Sequence, residues 1–265
     1  MSEETIDKLL ELNIIKTLSD ENRKIRFNDI SQKIEILYNI VHDYCNINNP
    51  EYDTDDEIIN WTFVDVKSDL ISAQANLLIG HYKASASLLR NAQELAFTSL
   101  FFQLKQNEVQ NRGIHYNSYF SDWDSGLRDS YNWGTTKPVI TNNKHMKKLQ
   151  SIMHLDLVGD SYELYKELCS YTHNRAFDKN LQPVININLY TENFMGFEED
   201  LFDRFSLLFD KTISSIVSVW LICFPEIFNV ETLWCETVTK STKIDLVINH
   251  PRKDDILKYL NENSK

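Results

Sequence analysis

The residue pattern predicts an all-α fold: a helical bundle with an N-terminal helical hairpin and at most a minor strand pair. Glycine and proline, which β folds place at their turns, number only 6 and 5 among 265 residues. Apolar residues recur at spacings of three and four through several long stretches, the period of a helix with one buried face. Hydrophobic residues make up 42% and aromatic residues 12% of the chain, enough for a globular core and too many for a disordered chain.

The elements follow in order. Residues 4–17 read as a short amphipathic helix with Leu9, Leu10, Leu12, Ile14 and Ile15 apolar, and Ser19 to Asn22 breaks it. A second helix is expected over 29–46, where Ile30, Ile34, Leu37, Val41 and Tyr44 share a face. Residues 1–50 therefore form a helical hairpin packed on a main body. A long helical region runs from Asp56 to Gln106, interrupted or kinked at Gly80. On its second half, Leu88, Leu89, Ala92, Leu95, Ala96, Ser99 and Phe102 make a broad apolar face. Arg90, Glu94, Phe97 and Phe101 lie opposite, so this helix is covered on both sides, inside the domain or by a dimer partner.

Residues 107–143 are rich in Asn, Ser, Asp, Gly and aromatics, and read as a long irregular loop, either functional or a disguised packing element. Helices follow at 144–153, where Lys144, Lys147 and Lys148 make a solvent face, and from Ser161 to Tyr171, capped by Asp160 or Ser161. Pro183 to Tyr190 alternates like a strand. A strongly apolar helix covers 198–223, residues 231–248 suit a short hairpin, and 252–262 a terminal helix. The main body is thus 51–230, with 231–265 an extension.

The net charge of −12 argues against extended duplex DNA as a partner. Cys45, Cys169 and Cys223 sit among apolar residues, and no C-x-x-C pair occurs, as suits reduced, buried thiols. The acidic start MSEETIDKLLEL is unlike a signal peptide. The apolar run Ile213 to Phe224 contains three serines and is too short to span a bilayer, so it reads as a core helix. The expectation is a cytoplasmic protein with no membrane contact.

Phosphate-loop, dinucleotide, nucleophile-elbow and zinc patterns are absent from the sequence, which calls for no cofactor and no metal. Two helical segments instead keep charges among apolar residues: Arg90 with Glu94, and His173 with Arg175. Buried charges need partners, so these segments are expected to meet and form the site. There His173 is a candidate general acid or base, and Arg90 and Arg175 candidates to hold a phosphate. The alternative is structural, with Glu94 paired to an arginine and His173 satisfying a carbonyl at a helix end. A second set, His115, Trp123, Asp124, Arg128 and Trp133, with Tyr119 and Asp122 nearby, suits a base or small polar ligand, or else plugs the long loop onto the core.

The pattern LLR-x-x-x-E followed by Phe101, then F-x-x-W (Phe120 to Trp123), then Y-x-x-L-x-x-x-x-H (Tyr165, Leu168, His173), resembles the HEPN superfamily and abortive-infection proteins over residues 60–225. The resemblance implies a helical bundle, often dimeric, and many such proteins are ribonucleases of phage defence. The nuclease members place an arginine shortly before a histidine. No histidine here has an arginine at that spacing, and His173-Asn174-Arg175 reverses the order. The leading expectation is a HEPN-like protein of antiphage defence or stress response that binds a partner, nucleic acid or small ligand. Its alternatives are a metal-independent ribonuclease using His173 with Arg90 and Arg175, and an acidic interaction or inhibitor module. The expected partners are a second copy or another protein, with RNA as the nucleic acid.

Overall fold

The computed structural model describes residues 11, 14–48, 58–110, 118–127, 131–172, 199–229 and 240–264. The described residues are helical, with no strand among them, and form an all-α bundle. Its helices are α1 (Glu21–Asn48), α2 (Ile58–Leu78), α3 (Tyr82–Gln110), α4 (Ser118–Asp124), α5 (Trp133–Thr141), α6 (Lys144–Met153), α7 (Leu157–Thr172), α8 (Glu199–Cys223), α9 (Lys240–Val247) and α10 (Lys253–Asn263). A 3-10 turn, Pro225–Asn229, follows α8.

The centre is α8. From Phe202 to Cys223 it is buried on nearly every side. By length and composition it could cross a membrane, longer than the apolar run alone suggested, but 78% of its most apolar stretch is buried within the molecule. Each buried Leu, Ile or Phe contributes about 1.5–3 kcal/mol, so this helix carries a large share of the core energy. Trp220 anchors it. Its ring meets Phe63 of α2 edge-on at 5.1 Å and Tyr44 of α1 at 5.9 Å. Its indole N–H donates to the Ala96 carbonyl at 3.3 Å, tying α8 to α3. Pro225 cannot continue the helix, which ends just before it.

The expected interruption at Gly80 is a turn between two helices. Gly80 takes a φ of 79°, which costs glycine nothing. The Gly80 N–H donates to the Leu77 carbonyl at 3.2 Å and His81 N–H to Asn76 at 2.8 Å, the Schellman pattern that closes α2. α3 then returns along α2 and also packs on α5, α7 and α8.

Several expectations are corrected. α1 starts at Glu21, eight residues before 29, because the Asp20 carboxylate accepts the Arg23 N–H at 3.0 Å and caps it. α7 starts at Leu157 and not Ser161. Asp156 Oδ1 accepts the Gly159 N–H at 2.9 Å, while the Ser161 hydroxyl donates to the Leu157 carbonyl inside the helix. The stretch 107–143 is not irregular where described: it contains the end of α3, all of α4 and all of α5. Where a hairpin was expected over 231–248, residues 240–247 are helix. Of the two covers expected for Phe97 and Phe101, the structure shows the one inside the chain: they are 2% and 1% exposed beneath Trp133, Tyr119 and Tyr131. Cys223 is buried as expected, but Cys169 is only half-buried. The expected strand at 183–190, most of the first expected helix, Cys235 and the Cys45 side chain lie outside the described residues.

Candidate binding site

α3 places Arg90 and Glu94 one turn apart on the side that leads to Phe97. α7 packs on α3 and brings Tyr162, Tyr165 and Cys169 to this side, while the charges expected to meet Arg90 and Glu94, His173 and Arg175, lie outside the described residues. α5 completes the locus with Trp133 and Lys137. Asn132 caps α5 by accepting the Thr135 N–H, which fixes where Trp133 enters the core.

The aromatic rings form one cluster. Trp133 lies 4.7 Å from Phe97 and 5.5 Å from both Tyr162 and Tyr165. Tyr162 and Tyr165 are nearly parallel, 13° apart in plane. Lys137 Nζ and Lys166 Nζ stand over the Tyr162 ring, 4.9 Å and 5.1 Å from its centre, so this half-buried aromatic ring carries two cations.

The polar groups are unevenly matched. The Tyr165 hydroxyl donates to Glu94 Oε2 at 3.4 Å. Burial raises the Tyr165 phenol above its ordinary value, and the Glu94 carboxylate and the Cys169 side chain raise it further, against the opposing pull of Arg90. It therefore stays protonated at neutral pH and acts as a donor. Arg90 Nη2 donates to Asn91 Oδ1 at 3.0 Å, but Arg90 Nε is buried with no hydrogen-bond partner. The Trp133 indole N–H, on a residue 6% exposed, is also buried without one. Two N–H donors in one aromatic cluster thus have no acceptor, and a buried donor left unpaired costs about 1–3 kcal/mol.

His173 and Arg175 lie outside the described residues, as do His115 and Arg128. Trp123 packs on Phe102 at 5.7 Å, and with Phe120 and Tyr131 it caps Phe101 and Phe102 in a second small core. Asp124 is exposed at the end of α4. Trp123 and Trp133 therefore sit in different clusters. Among the described residues, no three His, Cys, Asp or Glu side chains gather as a metal site would need.

Sequence reading missed Gln93. It sits between Arg90 and Glu94, is 0% exposed, and donates to the Ser161 carbonyl at 3.1 Å and to Ser215 Oγ at 3.2 Å. The signal was legible: a lone amide shares the apolar face of Leu89, Ala92 and Ala96, and a buried amide requires partners. No protein-family model, curated protein or solved structure matches this chain.

Proposed function

We propose that this chain is a HEPN-like helical protein of bacterial defence or stress response, and that it acts by binding the end of a single-stranded RNA where α3, α5 and α7 meet. One observation carries the reading: Arg90 Nε and Trp133 Nε1 are buried donors without acceptors in one aromatic cluster. A phosphate oxygen admitted by a parting of α5 from α7 would satisfy such donors, and a charged acceptor makes the stronger hydrogen bond. Lys137 and Lys166, which stand over the Tyr162 ring, would meet the next phosphate of the strand. The net charge of −12 limits the contact to a short segment, since a longer backbone would meet repulsion.

The test is fluorescence anisotropy with a 5′-phosphorylated oligouridine carrying a 3′ dye. Saturable binding by the wild type, weakened at least about tenfold by Arg90→Ala or by Trp133→Phe, is expected. Trp133→Phe keeps an aromatic ring and removes the donor together with part of the packing on Phe97, Tyr162 and Tyr165. Equal binding by all three proteins, or none by the folded wild type, overturns the reading. RNA cleavage in chelator that disappears in His173→Ala would instead favour a metal-independent ribonuclease.

A further inference from the structure

A second site lies on the other side of α7. Between α7, α8 and the segment 249–252 is a trough of about 740 Å³, within the size range of small-molecule sites. Leu155, Leu157, Leu164 and Leu207 form its walls, with Leu207 41% exposed at the rim. Its floor is a group of hydroxyls, Ser214, Ser215 and Ser218 of α8 facing Ser161 of α7.

The floor has a direction. Gln93 Nε2 lies 3.1 Å from the Ser161 carbonyl, which only accepts, so the amide orientation is fixed. The same nitrogen donates to Ser215 Oγ. Ser215 then donates to Ser161 Oγ at 2.7 Å, and Ser161 donates to the Leu157 carbonyl at 2.6 Å. Every hydrogen in this relay is engaged. What Ser161 and Ser215 still have is a lone pair each, so they can only accept. One turn along α8, Ser218 Oγ is buried on a residue 2% exposed and has no hydrogen-bond partner.

The charges lining the trough each have a partner, in the lining or beside it. Asp160 lies 3.3 Å from His250, Glu163 2.6 Å from Lys166 and Glu167 3.9 Å from Lys211, while Arg252 pairs with Asp255. Each lining charge thus has a polar partner of its own. We infer that the trough between α7 and α8 binds a small, uncharged, mostly apolar molecule whose polar end donates an N–H or O–H to the serine floor. The leucine walls take the body of this molecule, and its donor meets the free lone pairs. This site shares none of its lining residues with the RNA-end reading and stands without it.

The probe is 1-aminoanthracene, an uncharged aromatic amine that fluoresces on leaving water, titrated into the full chain. One saturable site is expected. Leu207→Asp, at the exposed rim, should weaken it at least about tenfold without touching the core, and Ser215→Met, which fills the floor, should do the same. The donor-free analogue 1-methylanthracene should bind about fivefold or more weakly than the amine. The inference is overturned by an absence of saturable binding to the wild type, by undiminished binding to folded Leu207→Asp, or by equal affinity for the two probes.

Discussion

The Lys33 ammonium lies 2.7 Å from the Asp210 carboxylate across 177 residues of sequence, and this contact ties α1 to α8. Both side chains are largely buried, at 10% and 13% exposure, and Lys33 also reaches Asp29 at 2.7 Å. Burial alone would lower the Lys33 pKa, but the hydrogen bonds to Asp210 and Asp29 outweigh it and hold the group above its ordinary 10.5. A base whose folded pKa is raised stabilises the fold fully below its unfolded value and loses that contribution as pH climbs through the folded value. Stability from this cluster should be constant at neutral pH and fall in strong alkali.

Removing one partner leaves a buried charge. Lys33→Met should therefore cost about 3–5 kcal/mol in urea unfolding at neutral pH. Asp210→Asn should cost somewhat less, since Lys33 keeps the Asp29 carboxylate at 2.7 Å. The double variant should recover part of the loss. Strict additivity of the two single effects would show that the pair is not coupled.

The start of α7 offers a prediction of sign. A Cβ on Gly159 would collide with Asp156 Oδ2, of the carboxylate that caps the helix. Gly159→Ala must push that side chain away and lose the cap, worth about 0.5–2 kcal/mol, while it gains up to about 1 kcal/mol of helix propensity. In the wild type the two effects nearly cancel or leave a net loss. In an Asp156→Ala background no cap remains to lose, so the same substitution should stabilise. Thermal unfolding of the four proteins would reveal the reversal, and an identical Gly159→Ala effect in both backgrounds would contradict it.

Phe101 is 1% exposed and lies 5.0 Å from Tyr131 and 5.3 Å from Tyr119. Phe101→Ala should therefore cost about 3–5 kcal/mol as a cavity in the second core. Phe101→Asp should unfold the protein, because it places an unpaired charge there. Light scattering should find the native mass of folded Phe101→Ala unchanged. A shift to half that mass would mean that this face also contacts another copy.

How far the fold was legible depended on where the burial energy came from. α6 and α8 carry their own pattern, with apolar residues at helical spacing, and sequence reading placed them within a residue or two. α5 does not. It contains Gly134, three threonines and Pro138, all poor helix formers, and it exists because Asn132 caps it and Trp133 packs on Phe97 and Tyr162. Those partners are distant in sequence. The same holds at the candidate site: the Arg90 and Glu94 pair signalled a buried polar locus, but nothing local to Trp133 announced that it would complete it. The trough escaped notice because its serines read individually as small core residues, and only their placement opposite Ser161 and Gln93 makes a floor.

The contact between α6 and α10 is sensitive to acid. The Tyr259 hydroxyl donates to the His145 carbonyl at 3.0 Å and lies 3.2 Å from His145 Nδ1, so its single hydrogen is engaged and Nδ1 carries the proton between them. Burial lowers the His145 pKa below 6.5, and the neighbouring Lys144 and Lys148 charges lower it further. A histidine lowered in this way is held neutral by the fold. Its unfolded form takes up a proton first as pH drops through 6.5, and stability falls with it. His145→Gln keeps a hydrogen-bonding side chain and removes the titration. Between pH 7.5 and 5.5 the melting temperature of the wild type should therefore fall more steeply than that of His145→Gln. Parallel curves would mean that the folded and unfolded chains hold this proton equally.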